Sequence, residues 1–174
     1  HKIPGVEAST GALGHGFPFG VGMALSGKLD NEKYRVFTLL GDGECQEGSI
    51  WEAAMFASHQ KLDNLTAIID YNKQQAMDYL DKIVSLEPFA KKWRAFGWEV
   101  REVDGHDHNQ LLDVFNSCPL VEGKPNLIIA HTTKGKGISF MEHEPLWHYR
   151  MPNLEEMKIV SKDLGLGDFW REFE

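Results

Sequence analysis

Cysteine is scarce in this 174-residue chain: Cys45 and Cys118 lie far apart, with no Cys-x-x-Cys or Cys/His spacing. Neither a disulfide framework nor a zinc site is indicated, and two reduced thiols are the simpler reading. No apolar run approaches the roughly 20 residues needed to span a bilayer. The first residues also lack the basic-then-apolar layout of a signal peptide, so a cytoplasmic location is expected and no membrane partner. Excess positive charge is missing too, with 18 Lys and Arg against 26 Asp and Glu and a formal net charge of −8. Basic residues gather only in short pairs, Lys91-Lys92 and Lys134/Lys136. A polyanion would be repelled by such a surface, which argues against nucleic acid as a partner. There is no internal repeat and no low-complexity linker. Nor is there an initiator methionine: the chain opens at His1-Lys2-Ile3-Pro4-Gly5 and reads as a domain lacking its N-terminal part.

What is present is ordinary for a soluble globular chain: 42% apolar and 25% charged residues, enough length for one sizeable core. Four β-rich runs stand out, at Tyr34 to Leu40, Leu65 to Tyr71, Trp98 to Asp104 and Asn126 to His131. The second and fourth are nearly continuous in apolar residues, as expected of parallel strands covered on both faces. Between them, Glu47 to Lys61, Pro88 to Phe96 and His108 to Ser117 carry apolar residues three and four apart, the period of a helix. Strand alternating with helix at this interval gives βαβ units, hence an α/β three-layer sandwich with a mainly parallel sheet. Thr132 to Pro152, with two glycines, two prolines and little periodicity, reads as a long functional loop. Asn153 to Leu164 has an Asn cap followed by two glutamates and reads as a helix. The domain is therefore placed at residues 1–164, and 165–174 read as a tail or linker stub.

Ser9 to Gly16 is rich in glycine and precedes the small, apolar run Val21 to Leu25. Glycines there permit close backbone approach and leave N–H groups free for an anion or a ring. Taken alone this is weak, and a glycine-rich helix packed tightly on the sheet is an equal reading. The stretch fits neither a Walker loop nor a dinucleotide fingerprint.

Gly41-Asp42-Gly43-Glu44-Cys45-Gln46-Glu47-Gly48 follows the first strand with no polar buffer. An acid just beyond a parallel strand sits at the carboxyl edge of the sheet, where open α/β folds bind ligands. Glu47 opens a helix whose N-terminus favours phosphate. A carboxylate and a phosphate facing one another need a hard cation, and magnesium suits because it takes few protein oxygens and shares the rest with phosphate. Asn72, 30 residues after Asp42, ends the second strand at the same edge, so both can converge on one ion.

Gly41-Asp42-Gly43 followed at that interval by Asn72 resembles the thiamine diphosphate and magnesium motif. Taken in order with Gly11-Ala12-Leu13-Gly14-His15-Gly16, Trp93 to Trp98, Asp104-Gly105-His106-Asp107 and Thr132 to Gly137, it resembles the cofactor-binding half of transketolase, closest to the N-terminal subunit of split transketolases. The resemblance covers nearly all of residues 4–160. It implies the diphosphate-binding domain of the thiamine diphosphate-binding fold. It implies Asp42 and Asn72 as side-chain ligands of Mg2+ (or Ca2+ or Mn2+ in its place) and a main-chain carbonyl ligand from Gln74. Gly11, Leu13, Gly14, Gly41, Gly43, Glu44, Asn72 and His148 would bind the cofactor. His148 would be catalytic, orienting hydroxyls and shuttling protons. Glu47, with Glu52, would meet its symmetry mate and link the two cofactors of a dimer, which makes Glu47 a catalytic candidate. His1 matches, more loosely, a substrate-contacting histidine. His15 stands where the family often has Gln.

The implied activity is transfer of a two-carbon ketol unit from a ketose or its phosphate to an aldose. The glutamate that activates the cofactor's aminopyrimidine belongs to a separate pyrimidine-binding domain, and no counterpart is found in these residues. A C-terminal transketolase subunit carrying that domain is thus the expected partner, in a homodimer or heterotetramer, and this polypeptide alone is expected to be inactive. The alternatives are a non-catalytic or truncated module that binds cofactor or partner without turnover, and a deoxyxylulose-phosphate synthase-like enzyme.

Overall fold

The computed structural model describes residues 3–173. Four parallel strands, β1 (Val36–Gly41), β2 (Leu65–Tyr71), β3 (Glu99–Asp104) and β4 (Asn126–His131), form a sheet in the order β1-β2-β4-β3. The α-helices are α1 (Gly16–Leu29), α2 (Gly48–His59), α3 (Leu80–Ile83), α4 (Phe89–Ala95), α5 (His108–Asn116) and α6 (Leu154–Asp163). The β2 and β4 spans coincide with the sequence reading because both strands are interior. Leu65, Ala67, Ile69, Leu127 and Ile129 point to one face, while Ile68 and Ile128 point to the other.

The first face carries the main core. Phe17, Val21 and Ala24 of α1, Ile50, Ala54 and Ala57 of α2, and Phe89 and Trp93 of α4 close over it. At its centre the Trp93 and Trp98 rings meet edge to face at 5.0 Å, with Phe17 5.7 Å from Trp98. The Trp98 indole N–H donates to the Ala54 carbonyl at 3.0 Å, so the ring is buried without an unpaired donor. Fully burying side chains of this size stabilises the fold by about 1.5–3 kcal/mol each. On the opposite face Val114 of α5 and Cys118 pack on Ile128, with Val103 and Phe115 beside them. Helices on both faces of a parallel sheet make the three-layer α/β sandwich expected from the sequence.

The glycine-rich stretch divides. From Gly16 onward it is a helix lying directly on the sheet: a Cβ at Gly20 would stand 2.1 Å from Thr38 Cγ2. Upstream, Ser9 to His15 is an irregular loop.

Several boundaries differ from the periodic reading. β1 begins at Val36, not Tyr34, because its pairing on β2 starts at Val36 opposite Leu65. Tyr34 instead donates its hydroxyl to Met23 O at 3.0 Å, and the Arg35 guanidinium caps the end of α5 through Phe115 O and Cys118 O. Within Thr132 to Pro152, Pro145–His148 form a 3₁₀ turn, and the Trp147 indole donates to Phe140 O at 3.0 Å. Asn153 caps α6 in a full capping box with Glu156. Residues read as a tail include a further 3₁₀ turn, Phe169–Phe173, lying against α6 with Lys158 5.1 Å above the Trp170 ring. That segment's three aromatics gave no helical or strand period, so its packing was invisible in sequence.

No helix among the described residues is long and apolar enough to cross a membrane.

Candidate cofactor and metal site

β1 delivers Gly41 to the carboxyl edge of the sheet opposite Asp70 of β2, and the chain turns at once into a short 3₁₀ turn, Gly43–Gln46, capped by Asp42. Asp42 is only 1% exposed. Its Oδ1 accepts the Gly43 N–H at 2.7 Å and its Oδ2 accepts the Lys73 N–H at 2.5 Å. Burial pushes this carboxyl up to about 6, against the lowering effect of those two N–H groups and with Asp70 adding to the rise. A carboxylate so placed has two backbone donors and, among the described residues, no salt bridge.

The loop after β2 brings Asn72 and Gln74 to the same edge. Asn72 Oδ1 accepts the Gln74 N–H at 2.9 Å, and Lys73 between them has a left-handed φ of 65° that swings its own N–H onto Asp42. Gln74 is 3% exposed, and its side-chain Oε1 has no hydrogen-bond partner. Among the described residues no cluster of three His, Cys, Asp or Glu side chains could hold a metal. A cation here would depend on one carboxylate, amide and carbonyl oxygens, and oxygens of its ligand, a hard-donor set that fits magnesium bound to phosphate. The buried Asp42 carboxylate is the group such an ion would meet.

Across the turn sits the loop holding Gly11, Leu13 and Gly14. Gly14 is buried with φ of 75°, and a Cβ there would stand 2.4 Å from Ser49 Oγ and 2.8 Å from Glu47 Cβ. Leu13 is 60% exposed, presented above the loop rather than packed into the core. Glu44 spans the two segments: its Oε1 accepts the Gly14 N–H at 3.0 Å and its Oε2 the Gly41 N–H at 3.1 Å. The Ser49 hydroxyl donates to Gly14 O at 2.7 Å.

His148 closes the 3₁₀ turn Pro145–His148. Partial burial, with the Lys134 ammonium second, holds its imidazole below the usual histidine range, so the ring is neutral at pH 7. The same ammonium acts on Asp42, which places Lys134 within electrostatic reach of both. Lys134's loop is anchored at both sides: the Thr132 hydroxyl donates to Asp70, and the Thr133 N–H donates to His106 Nε2 at 2.8 Å.

Thus the fold gathers Asp42, Asn72, Gln74, Gly41 and Gly43 at one edge, with Gly14 tied to them through Glu44. Glu47 caps α2 by backbone alone; its carboxylate makes no capping bond and is exposed, as is Glu52. Glu52 lines a shallow cleft of about 450 Å³ between α1 and α2 together with Phe19 and Phe56, whereas Glu47 does not line it. His1 lies outside the described residues. Lys73 and Ser49 were not singled out from the sequence: a lysine and a serine carry no motif, and their roles arise from a backbone angle and a loop contact.

The arrangement is an α/β domain with a buried acid and glycine turns at the carboxyl edge of a parallel sheet. Residues 1–169 match the family described as transketolase, thiamine diphosphate binding domain. The chain belongs to the transketolase family. It is 47% identical over 164 residues to one of the subunits of the apulose-4-phosphate transketolase of Phocaeicola vulgatus, covering 94% of this chain and 58% of that protein. It is 46% identical over 156 residues to the 6-deoxy-6-sulfo-D-fructose transketolase subunit SqwG of a Clostridium species, covering 90% of this chain and 56% of that protein. The transketolase of Campylobacter jejuni superposes with a TM-score of 0.85 at 31% identity, covering 92% of this chain and 26% of that one. The chain therefore spans little more than half the length of these subunit relatives.

Proposed function

We propose that this chain is the thiamine diphosphate- and magnesium-binding part of a transketolase-type enzyme that moves a two-carbon ketol unit from a ketose or ketose phosphate to an aldose. The observation that carries this reading is the buried Asp42 carboxylate at the sheet edge, bonded to the Lys73 N–H, with Asn72 and Gln74 in the same loop. Asp42 and Asn72 would ligate Mg2+, or Ca2+ or Mn2+ in its place, through their side chains and Gln74 through its carbonyl. Gly41 and Gly43 let the diphosphate approach the backbone, and Gly11, Leu13 and Gly14 flank the ring. When bound, thiamine diphosphate supplies the nucleophilic carbon that carries the two-carbon unit. His148, neutral near pH 7, orients substrate hydroxyls and exchanges a proton at an imidazole nitrogen.

The reading includes a partner subunit with a pyrimidine-binding domain, since no residue of this chain is assigned to activate the aminopyrimidine. That relatives are named as subunits of transketolases supports it. Exposed Phe19, Met23, Met55 and Phe56, with Glu52 at the α1–α2 cleft, support a homodimeric or heterotetrameric contact through that face, in a cytoplasmic enzyme.

The test is ketol transfer from a ketose phosphate to an aldose by the subunit bearing this chain, mixed with a pyrimidine-domain subunit, thiamine diphosphate and Mg2+. Turnover is expected in the complete mixture and not when the partner or the metal is omitted. Cofactor binding without transfer across donors and acceptors would instead identify a non-catalytic module.

A further inference from the structure

We infer that Glu44 is a positioning residue which sets the cofactor pocket through two backbone amides. The inference rests on the cofactor reading above. Its carboxylate reaches back 30 positions to Gly14, with one oxygen on the Gly14 N–H at 3.0 Å and the other on the Gly41 N–H at 3.1 Å. Those two glycines belong to different walls of the site: Gly41 ends β1 and leads into Asp42, and Gly14 closes the loop that presents Leu13. Bonds from backbone N–H groups to a carboxylate are among the stronger neutral-to-charged kind, and a single planar group that takes both fixes the spacing between its donors.

Independent features show that the Gly14 position is built. The Ser49 hydroxyl holds the carbonyl of the same residue at 2.7 Å, so both sides of the Gly14 peptide unit are gripped. The left-handed φ of 75° at Gly14 turns its N–H toward Glu44 while leaving Leu13 60% exposed on the side away from the core. With its two oxygens so engaged, Glu44 serves the site by holding the Leu13 loop at a fixed height over the Gly41-Asp42-Gly43 turn.

The experiment compares Glu44→Ala and Glu44→Gln with the wild type in 15N-labelled protein. Two readouts are taken: the Gly14 and Gly41 amide signals without cofactor, and calorimetric affinity for thiamine diphosphate with Mg2+. In Glu44→Ala both glycine amides should shift and exchange faster by more than about tenfold, while core amides such as those of β2 keep their protection. Cofactor affinity should fall by roughly tenfold, the factor one charge-assisted hydrogen bond carries. Glu44→Gln keeps one acceptor oxygen and turns an N–H2 toward the other donor, so one glycine amide should stay put and the affinity should lie between the two.

Unchanged glycine amides in Glu44→Ala would overturn the clamp. Released amides with wild-type affinity would overturn its role in positioning, and uniform loss of protection across the sheet would assign Glu44 to the fold instead. The amide arm needs no cofactor, so a wild type that binds no thiamine diphosphate would sink the functional reading and the positioning role while leaving the clamp to be judged by the amides.

Discussion

Asp42→Ala is expected to weaken magnesium-dependent binding of thiamine diphosphate by more than about 100-fold, since even partners that merely support a metal ligand carry about 10- to 100-fold. The fold should survive, because two effects of opposite sign meet at this side chain. In the cofactor-free protein the buried carboxyl sits at about 6, above its usual 3.8. A folded-state value above the unfolded one means stability that is fully present below pH 4 and lost as the pH rises through 6. At pH 7 the ionised group therefore costs on the order of 3 kcal/mol, which alanine removes. Against this, alanine strips the partner from the Gly43 and Lys73 N–H groups, at about 1–3 kcal/mol for each that stays dry. The melting temperature should shift by only a few degrees while binding is lost. The proton also competes with the metal: wild-type affinity should decline as the pH falls below about 6, where Asp42 is protonated. Calorimetry across pH 5 to 8, with melting curves for both proteins, checks the two halves. A variant with wild-type affinity would remove Asp42 from the metal site.

Gly14→Ala should have the next largest effect. Alanine at a φ of 75° costs about 1–2 kcal/mol. Its methyl would also overlap Ser49 Oγ, 2.4 Å away, and Glu47 Cβ, 2.8 Å away. Crowding of that kind adds about 1–3 kcal/mol if the loop stays in place. It need not stay: Gly11, Ala12 and Leu13 are exposed, so the loop can lift off and leave the core of α1, α2 and the sheet intact. The variant should melt within a few degrees of the wild type yet bind the cofactor at least about tenfold more weakly, with the Gly41 amide still bonded to Glu44. A global loss of stability with unchanged cofactor affinity would show that Gly14 serves the core and not the pocket.

How much of this was legible in sequence depended on where the cause lay. β2 and β4 are interior strands, so their apolar runs end where their pairing ends, and both spans could be read directly. Asp42 and Asn72 were legible because an acid and an amide at two strand ends follow from the βαβ order alone. Tyr34 and Arg35 have strand-like character but are claimed by α1 and by the end of α5, contacts that no local period encodes. Lys73 reaches Asp42 only through a left-handed backbone unusual for lysine. Glu44 was expected at the cofactor from the motif around it. The geometry shows its oxygens on two backbone amides, one of them 30 residues away, a distance no motif spans.

The central claim is that the sheet edge at Asp42, Asn72 and Gln74 holds a divalent cation together with a diphosphate. Calorimetric titration of thiamine diphosphate into the protein, with Mg2+ and then with the metal chelated, tests it most directly. The account predicts saturable binding with Mg2+ that disappears on chelation and returns with Mn2+ or Ca2+. Binding of equal strength without any divalent ion would contradict it, and so would a folded protein, supplied with its partner subunit, that takes up no cofactor.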